Sequence, residues 1–385
     1  MVTDLRIYVV IGIFMISCIS LMIFNFGIGR DNQIRRKAVA RKVDRWNTVL
    51  LAQTTLATEF AAGRASAARR AKIQKHEKLL LKKLQSTSQL FAYAGALQNL
   101  KDEYPEYFEE YADKVQKVFH RLTEIYSRKP LIVRTGYTDF LCQFLSLVGA
   151  GSGQFTDTLI SYTEDSNIHC RTNVLRILCS IGTVQGVGNL LRMISDGGLF
   201  LHRQLLTREL SDFAGDKEML CEHLWSESHN FYDNMVVSLI QFITNTSELY
   251  CEKFLPLLQN TSVDKEVRIA MIRYFGRHKF EPAQEVLIDF LDNSADVSFA
   301  IVSASALRTY PSPDTFAALE RALSNEDWYV RYNASATLVV LGDEQELMEV
   351  LRSENVRKKE IVAYIIELEK AVRNTDYNNE GKVNE

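Results

Sequence analysis

Hydrophobic residues recur along this chain with the period of an α-helix, and over its second two-thirds the pattern repeats itself. The segments VDKEVRIAMIRYFGRHK (263–279) and EDWYVRYNASATLVVLGD (326–343) share an Asp, a hydrophobic residue three positions later, and an Arg directly after it. With Val267 and Val330 as position zero, a template with apolar positions at four, eight and eleven fits again from Val133, Cys170, His202, Met235, Phe299 and Val356. Successive starts lie 37, 32, 33, 32, 32, 31 and 26 residues apart, and Leu141, Leu178, Leu210, Ile243, Phe275, Leu307, Leu338 and Tyr364 fill position eight. At about 100° per residue these positions share about 80° of arc, so one face of each helix must be buried. Each copy predicts the inner helix of a helical hairpin. The segment before it, as in VGNLLRMIS, KFLPLLQN or AQEVLIDFLDN, supplies the outer helix. The last copy carries polar VRKKE and predicts a cap, and NTDYNNEGKVNE from Asn374 predicts a disordered tail.

The template assigns roles to its polar positions. Arg134, Arg171, Arg203, Arg268, Arg331 and Arg357 follow position zero, about 65° from the core direction, where they face the neighbouring hairpin. An inter-repeat hydrogen bond to a turn carboxylate is expected there, ahead of a ligand contact. Asp264, Asp296 and Asp327 stand three residues before position zero and predict amino-terminal caps. Position six points about 155° from the core, toward the concave side, and holds Arg176, Arg208 and Arg273; Arg308, at position nine, lies on the same side. Such a broken basic ladder could receive an acidic peptide, a phosphate group or a nucleotide, or remain a solvated face with local ion pairs. Trp328, Tyr329 and Tyr332 form either inter-repeat packing or a protein-contact patch.

Upstream, residues 31–128 stay helical in pattern, with Pro105 as the first proline. Leu80, Leu84, Phe91, Ala94, Leu97 and Leu100 form one apolar stripe, and Tyr107, Tyr111, Val115, Phe119 and Leu122 another, which predicts a hairpin of long helices serving as a stalk or cap. Before it, Ile7 to Phe26 are 20 consecutive uncharged residues, enough helix to cross about 30 Å of hydrocarbon. Twelve of them are Ile, Leu, Val or Phe. A transmembrane helix is predicted ahead of a buried core helix or a cleaved signal peptide, since only Arg6 precedes the run and FNFGIGR follows it. Arg30, Arg35, Arg36, Lys37, Arg41, Lys42 and Arg45 follow the span and place the following bulk in the cytoplasm, with the basic stretch 30–45 against anionic lipid.

Charge sharpens this division. The formal net charge of −3 conceals +11 over residues 28–84 and −14 over residues 85–385. An acidic array with a few scattered arginines makes a poor phosphate track, so nucleic acid is not an expected partner. Hydrophobic residues at 46% and only 6 prolines exclude a disordered or collagen-like chain. Six cysteines show neither disulfide nor zinc spacing, and no metal or cofactor is expected. Cys221, His223 and His229 are read as loop residues ahead of a zinc site, GAGSG (149–153) as a loop ahead of a phosphate cradle, and Cys170 beside His169 as a core residue.

The repeat resembles the HEAT repeat, and most closely the HEAT-like repeats of phycobilisome lyases. Asp264, Val267 and Arg268, then Asp327, Val330, Arg331, Ala334, Leu338, Leu341, Gly342 and Asp343 carry the resemblance, with a degenerate copy at Cys170, Arg171, Val174, Leu178, Ile181 and Gly182. Met235 and Phe299 depart from it by lacking the following Arg, and Glu360 fills an apolar slot. The expected fold is all-α: an extracytoplasmic terminus (1–6), a transmembrane helix (7–26), a basic helical stalk (27–128), an α-solenoid of about seven to eight hairpins (129–373) and a disordered tail (374–385). The resemblance implies a non-enzymatic scaffold or adaptor that binds a partner protein near the membrane. It extends to accessory subunits of envelope or exopolysaccharide glycosyltransferases. The rivals are a HEAT-like lyase or glycosylase and a sensor of small anions.

Overall fold

A computed structural model describes residues 37–53, 67–164, 167–342 and 344–380. Helices and short connections account for all of them, with no strand among the described residues. The chain forms two compact units, Met1–Ile181 and Gly182–Glu385.

The first unit contains α1 (37–53), α2 (Ala67–Lys83), α3 (Thr87–Glu103), α4 (Pro105–Tyr126), α5 (Leu131–Gln143), α6 (Gly153–Ser161) and α7 (Ile168–Ile181). Here α3, α5 and α7 pack successively, while α4 touches α2, α3, α5 and α6. Alternation of two layers thus begins well before residue 129. The described part of the predicted stalk, 37–53 and 67–128, packs within this unit, which ends at Ile181. The reason is an aromatic core that α4 shares with its neighbours. Tyr126 stacks on Tyr137 at 4.1 Å between ring centroids, and Phe119 on Phe140 at 5.7 Å. Each buried hydroxyl finds an acceptor, as burial demands: Tyr126 donates to the Leu84 carbonyl (2.5 Å) and Tyr137 to that of Phe119 (2.9 Å). Two stripe residues differ from expectation. Phe91 and Tyr107 are exposed, and Phe108, Val118 and Tyr126 complete the buried face of α4.

The second unit contains α8 (Val184–Asp196), α9 (Arg203–Ser211), α10 (Lys217–Ser226), α11 (Asp233–Thr246), α12 (Cys251–Gln259), α13 (Lys265–Phe275), α14 (Glu281–Asn293), α15 (Val297–Ala306), α16 (Pro313–Ala322), α17 (Trp328–Leu341), α18 (Glu344–Arg352) and α19 (Val356–Glu380). The inner helices α9, α11, α13, α15, α17 and α19 pack each on the next, and α10, α12, α14, α16 and α18 each fold back on the inner helix that follows. Met235, Val267, Phe299 and Val330 at position zero are buried, as are Ile243, Phe275, Leu307 and Leu338 at position eight.

The repeat register fails in two places. His202 is an exposed residue flanking α9 and leaves the core to Leu206 and Leu210. In α19, Val356 and Tyr364 are 61% and 50% exposed, while Ile361, Val362 and Ile365 are buried. The charged VRKKE run cannot enter a core without desolvating its charges, so α19 turns a different stripe inward. The same helix runs on to Glu380, so residues 374–380, expected to be disordered, are helical. Among the described residues no helix is long and apolar enough to cross a membrane; the predicted span 7–26, with Arg35 and Arg36, lies outside them.

Candidate functional site

Five of the six arginines after position zero are held by the repeats, and Arg357 is exposed. Arg268 donates from Nε to the Leu258 carbonyl (2.8 Å), and its guanidinium lies over the rings of Phe299 (4.8 Å) and Phe290 (5.3 Å) in the following hairpin. Desolvation lowers its pKa. Arg331 donates to the carbonyls of Asn325 (2.6 Å) and Glu326 (2.8 Å). The acceptors in these two repeats are carbonyls of the same hairpin, in its outer helix or turn, where carboxylates of a neighbouring repeat were expected. A helix or turn carbonyl left over at the end of the outer helix is an orphan acceptor, which a guanidinium can satisfy. Arg203 faces Glu266 (3.5 Å), Arg134 lies over the Tyr162 ring (5.9 Å), and Arg171 is buried in α7.

The three aspartates cap their helices. Asp264 accepts from the backbone N–H groups of Glu266 and Val267, and Asp327 from those of Tyr329 and Val330. Asp296 accepts from the Ser298 N–H and from Lys265 Nζ at 2.6 Å, and these hydrogen bonds hold its carboxyl down at about 2. Because Lys265 sits in α13 and Asp296 precedes α15, this pair also joins successive repeats.

The position-six arginines divide. Arg208 is exposed but bonds the buried carboxylate of Glu209 (2.7 Å), a local pairing. Arg273 and Arg308 are exposed, with no ion-pair partner among the described residues. Arg176 belongs to α7 of the first unit, where it is half-buried. Nearer the amino terminus, Lys37 and Arg41 are exposed on α1, and Lys42 donates to Ser88 (3.1 Å).

The candidate chemical clusters serve the fold. Cys170 is buried, which pushes its thiol pKa up, while His169 is exposed. Burial pushes the Cys221 thiol up to about 12, and the neighbouring His223 ring lies against Gly188. No group of three or more His, Cys, Asp or Glu among the described residues could hold a metal ion. Within GAGSG, Gly149 and Gly151 take positive φ values of 59° and 53°, and Ser152 caps α6.

Sequence reasoning did not bring together one further group. Trp328 and Arg331 of α17 line an open cleft of about 330 Å³ with Arg357, Glu360, Ile361 and Tyr364 of α19. Trp328 stacks on Tyr332 (5.0 Å) and meets Tyr329 edge-on (5.2 Å), so the aromatic cluster packs upon itself while remaining open on one side. The signal was present as an aromatic run opposite a charged helix, but only the rotated register of α19 places the two together.

Residues 284–365, from α14 into α19, match the family model described as HEAT repeats. A search of curated proteins finds no match to the chain. Paired helices in two layers and this match support a HEAT-like repeat protein, an architecture that commonly mediates contact between proteins.

Proposed function

We propose that the chain is a membrane-anchored scaffold whose repeat array binds a partner protein beside the bilayer. The observation that carries this reading is the division among its arginines. Arg203, Arg268 and Arg331 are engaged within the array, whereas Arg273 and Arg308 are exposed with no ion-pair partner among the described residues. An acidic surface on a partner would complement them, and anchoring both proteins to one membrane raises the effective concentration of each for the other. The anchor is the apolar run 7–26, and the basic residues after it favour a cytoplasmic array. The arrangement of span, basic helices and array further suggests an accessory subunit of an envelope or exopolysaccharide glycosyltransferase.

Crosslinking in intact cells should capture one dominant membrane-proximal protein, and R273E with R308E should reduce that capture at least about tenfold, the effect of about 1.4 kcal/mol. Undiminished capture by the double variant would remove Arg273 and Arg308 from the contact, and absence of any captured protein would remove the scaffold reading. A reporter fused after Glu385 should be active only in the cytoplasm.

A further inference from the structure

We infer that the cleft between α17 and α19 is a docking site for an acidic peptide segment that inserts one aromatic side chain. The inference rests on the scaffold reading and specifies where such a scaffold would grip and what it would recognise.

The walls are built for this. Trp328 is 45% exposed and Tyr364 50%, one on each of the two helices that line the cleft. Neither is spare core: Val330, two residues from Trp328, is fully buried and carries the packing of α17. Trp, Tyr and Arg are the residues that dominate binding energy at protein contacts, because they bring large, rigid surface with few rotors. Trp328 is further fixed by its stack on Tyr332, so little ordering is left to be done on binding.

The charges select the ligand. Arg331 is anchored by two carbonyls, which uses Nη1 and leaves the rest of its fork for a ligand. Arg357 lines the same cleft, is exposed, and has no side-chain partner among the described residues. Two guanidiniums against the single carboxylate of Glu360 leave the cleft net positive within the acidic stretch 85–385. At about 330 Å³ it lies at the small end of the roughly 300–1,000 Å³ range of ligand pockets. That suits one aromatic ring with flanking carboxylates. A ring would lie between Trp328 and Tyr364 while adjacent acidic side chains or a terminal carboxylate reach Arg331 and Arg357.

The test uses the full chain in non-ionic detergent and fluorescein-labelled blocked peptides at low salt, followed by fluorescence anisotropy. Glu-Asp-Phe-Asp-Glu should bind saturably; Glu-Asp-Ala-Asp-Glu and Lys-Lys-Phe-Lys-Lys should each bind at least about tenfold more weakly. W328A and R357E should each weaken the first peptide about tenfold or more, with unchanged helical circular dichroism, and R308E should leave it unchanged. R357E should also improve binding of the lysine peptide, a gain that a misfolded variant could not produce. Absence of saturable binding, or binding indifferent to both W328A and R357E, would overturn the inference. So would binding of phosphatidylserine vesicles that needs these two residues while the peptides do not bind. Capture of a partner in cells that W328A and R357E leave intact would sink the cleft alone, whereas loss of all capture would sink the scaffold reading beneath it.

Discussion

Acid should loosen the first unit before carboxylate titration alone would, and His76 is the reason. The imidazole of His76 on α2 is buried, with Nε2 2.9 Å from the Tyr111 hydroxyl of α4, which in turn lies 2.7 Å from the Tyr93 hydroxyl of α3. Three helices thus meet in one buried chain of polar groups. Desolvation lowers the His76 pKa from its ordinary 6.5 to about 4, and burial holds both tyrosines protonated far above neutrality. The folded state therefore binds this proton less readily than the unfolded state does. Stability is complete above about pH 6.5 and declines as pH falls toward 4, because only the unfolded chain is protonated across that window. The full decline amounts to about 3 kcal/mol, and about 2 kcal/mol of it is lost by pH 5. Hydrogen exchange of peptides from residues 71–126, followed by mass spectrometry between pH 7.5 and 5 and corrected for intrinsic rates, reads this directly. H76Q, which retains a hydrogen-bonding group without the titration, should flatten the pH dependence while peptides from α13 to α17 stay unchanged. Parallel loss of protection in wild type and H76Q would refute the assignment.

Three further sets of substitutions probe the repeats. R268A removes a charge-assisted bond to the Leu258 carbonyl and a cation over two rings, and should cost about 2–3 kcal/mol in urea unfolding of the second unit, with R268K recovering part of it. D264A and D327A should each cost about 1 kcal/mol through lost caps, with additive effects because they serve separate helices; strong non-additivity would contradict that independence. G188A would bring a Cβ within 2.3 Å of His223 Nε2, which is buried without a hydrogen-bond partner among the described residues, so it should lower the melting temperature and H223A should relieve much of the loss.

Much of the second unit was legible because its period is carried by buried side chains. Met235, Val267, Phe299 and Val330 lie about 32 residues apart and are all inside, and three aspartates at fixed distance from the last three mark helix starts. What escaped was set by partners distant in sequence. Arg268 and Arg331 chose carbonyls over carboxylates because helix ends leave acceptors unfilled, a fact invisible in composition. Phe91 lies in a predicted apolar stripe and Phe108 does not, yet only Phe108 is covered. In α19 the template still matched Val356 and Tyr364 while the nearby charges forced a different stripe inward. The cleft follows from that rotation, since it joins residues of two helices with no motif in common.

The seat of Arg268 also has a mechanical consequence. Its guanidinium ties α12 and α13 to rings on α14 and α15, so two consecutive hairpins share one side chain. In a stack of repeats, stability divides into terms within each hairpin and terms between neighbours. Concentrating a neighbour term on one cation stiffens that joint against sliding. The slot after position zero holds Val236 in α11 and Ala300 in α15, neither of which can reach across in this way. Those two joints are closed by other groups, by the Arg321–Asp292 ion pair and the Thr337 hydroxyl donating to the Ala304 carbonyl beyond α15 and by Arg277 donating to Asn245 beside α11, so the loss of Arg268 would weaken one joint and leave its neighbours as they are.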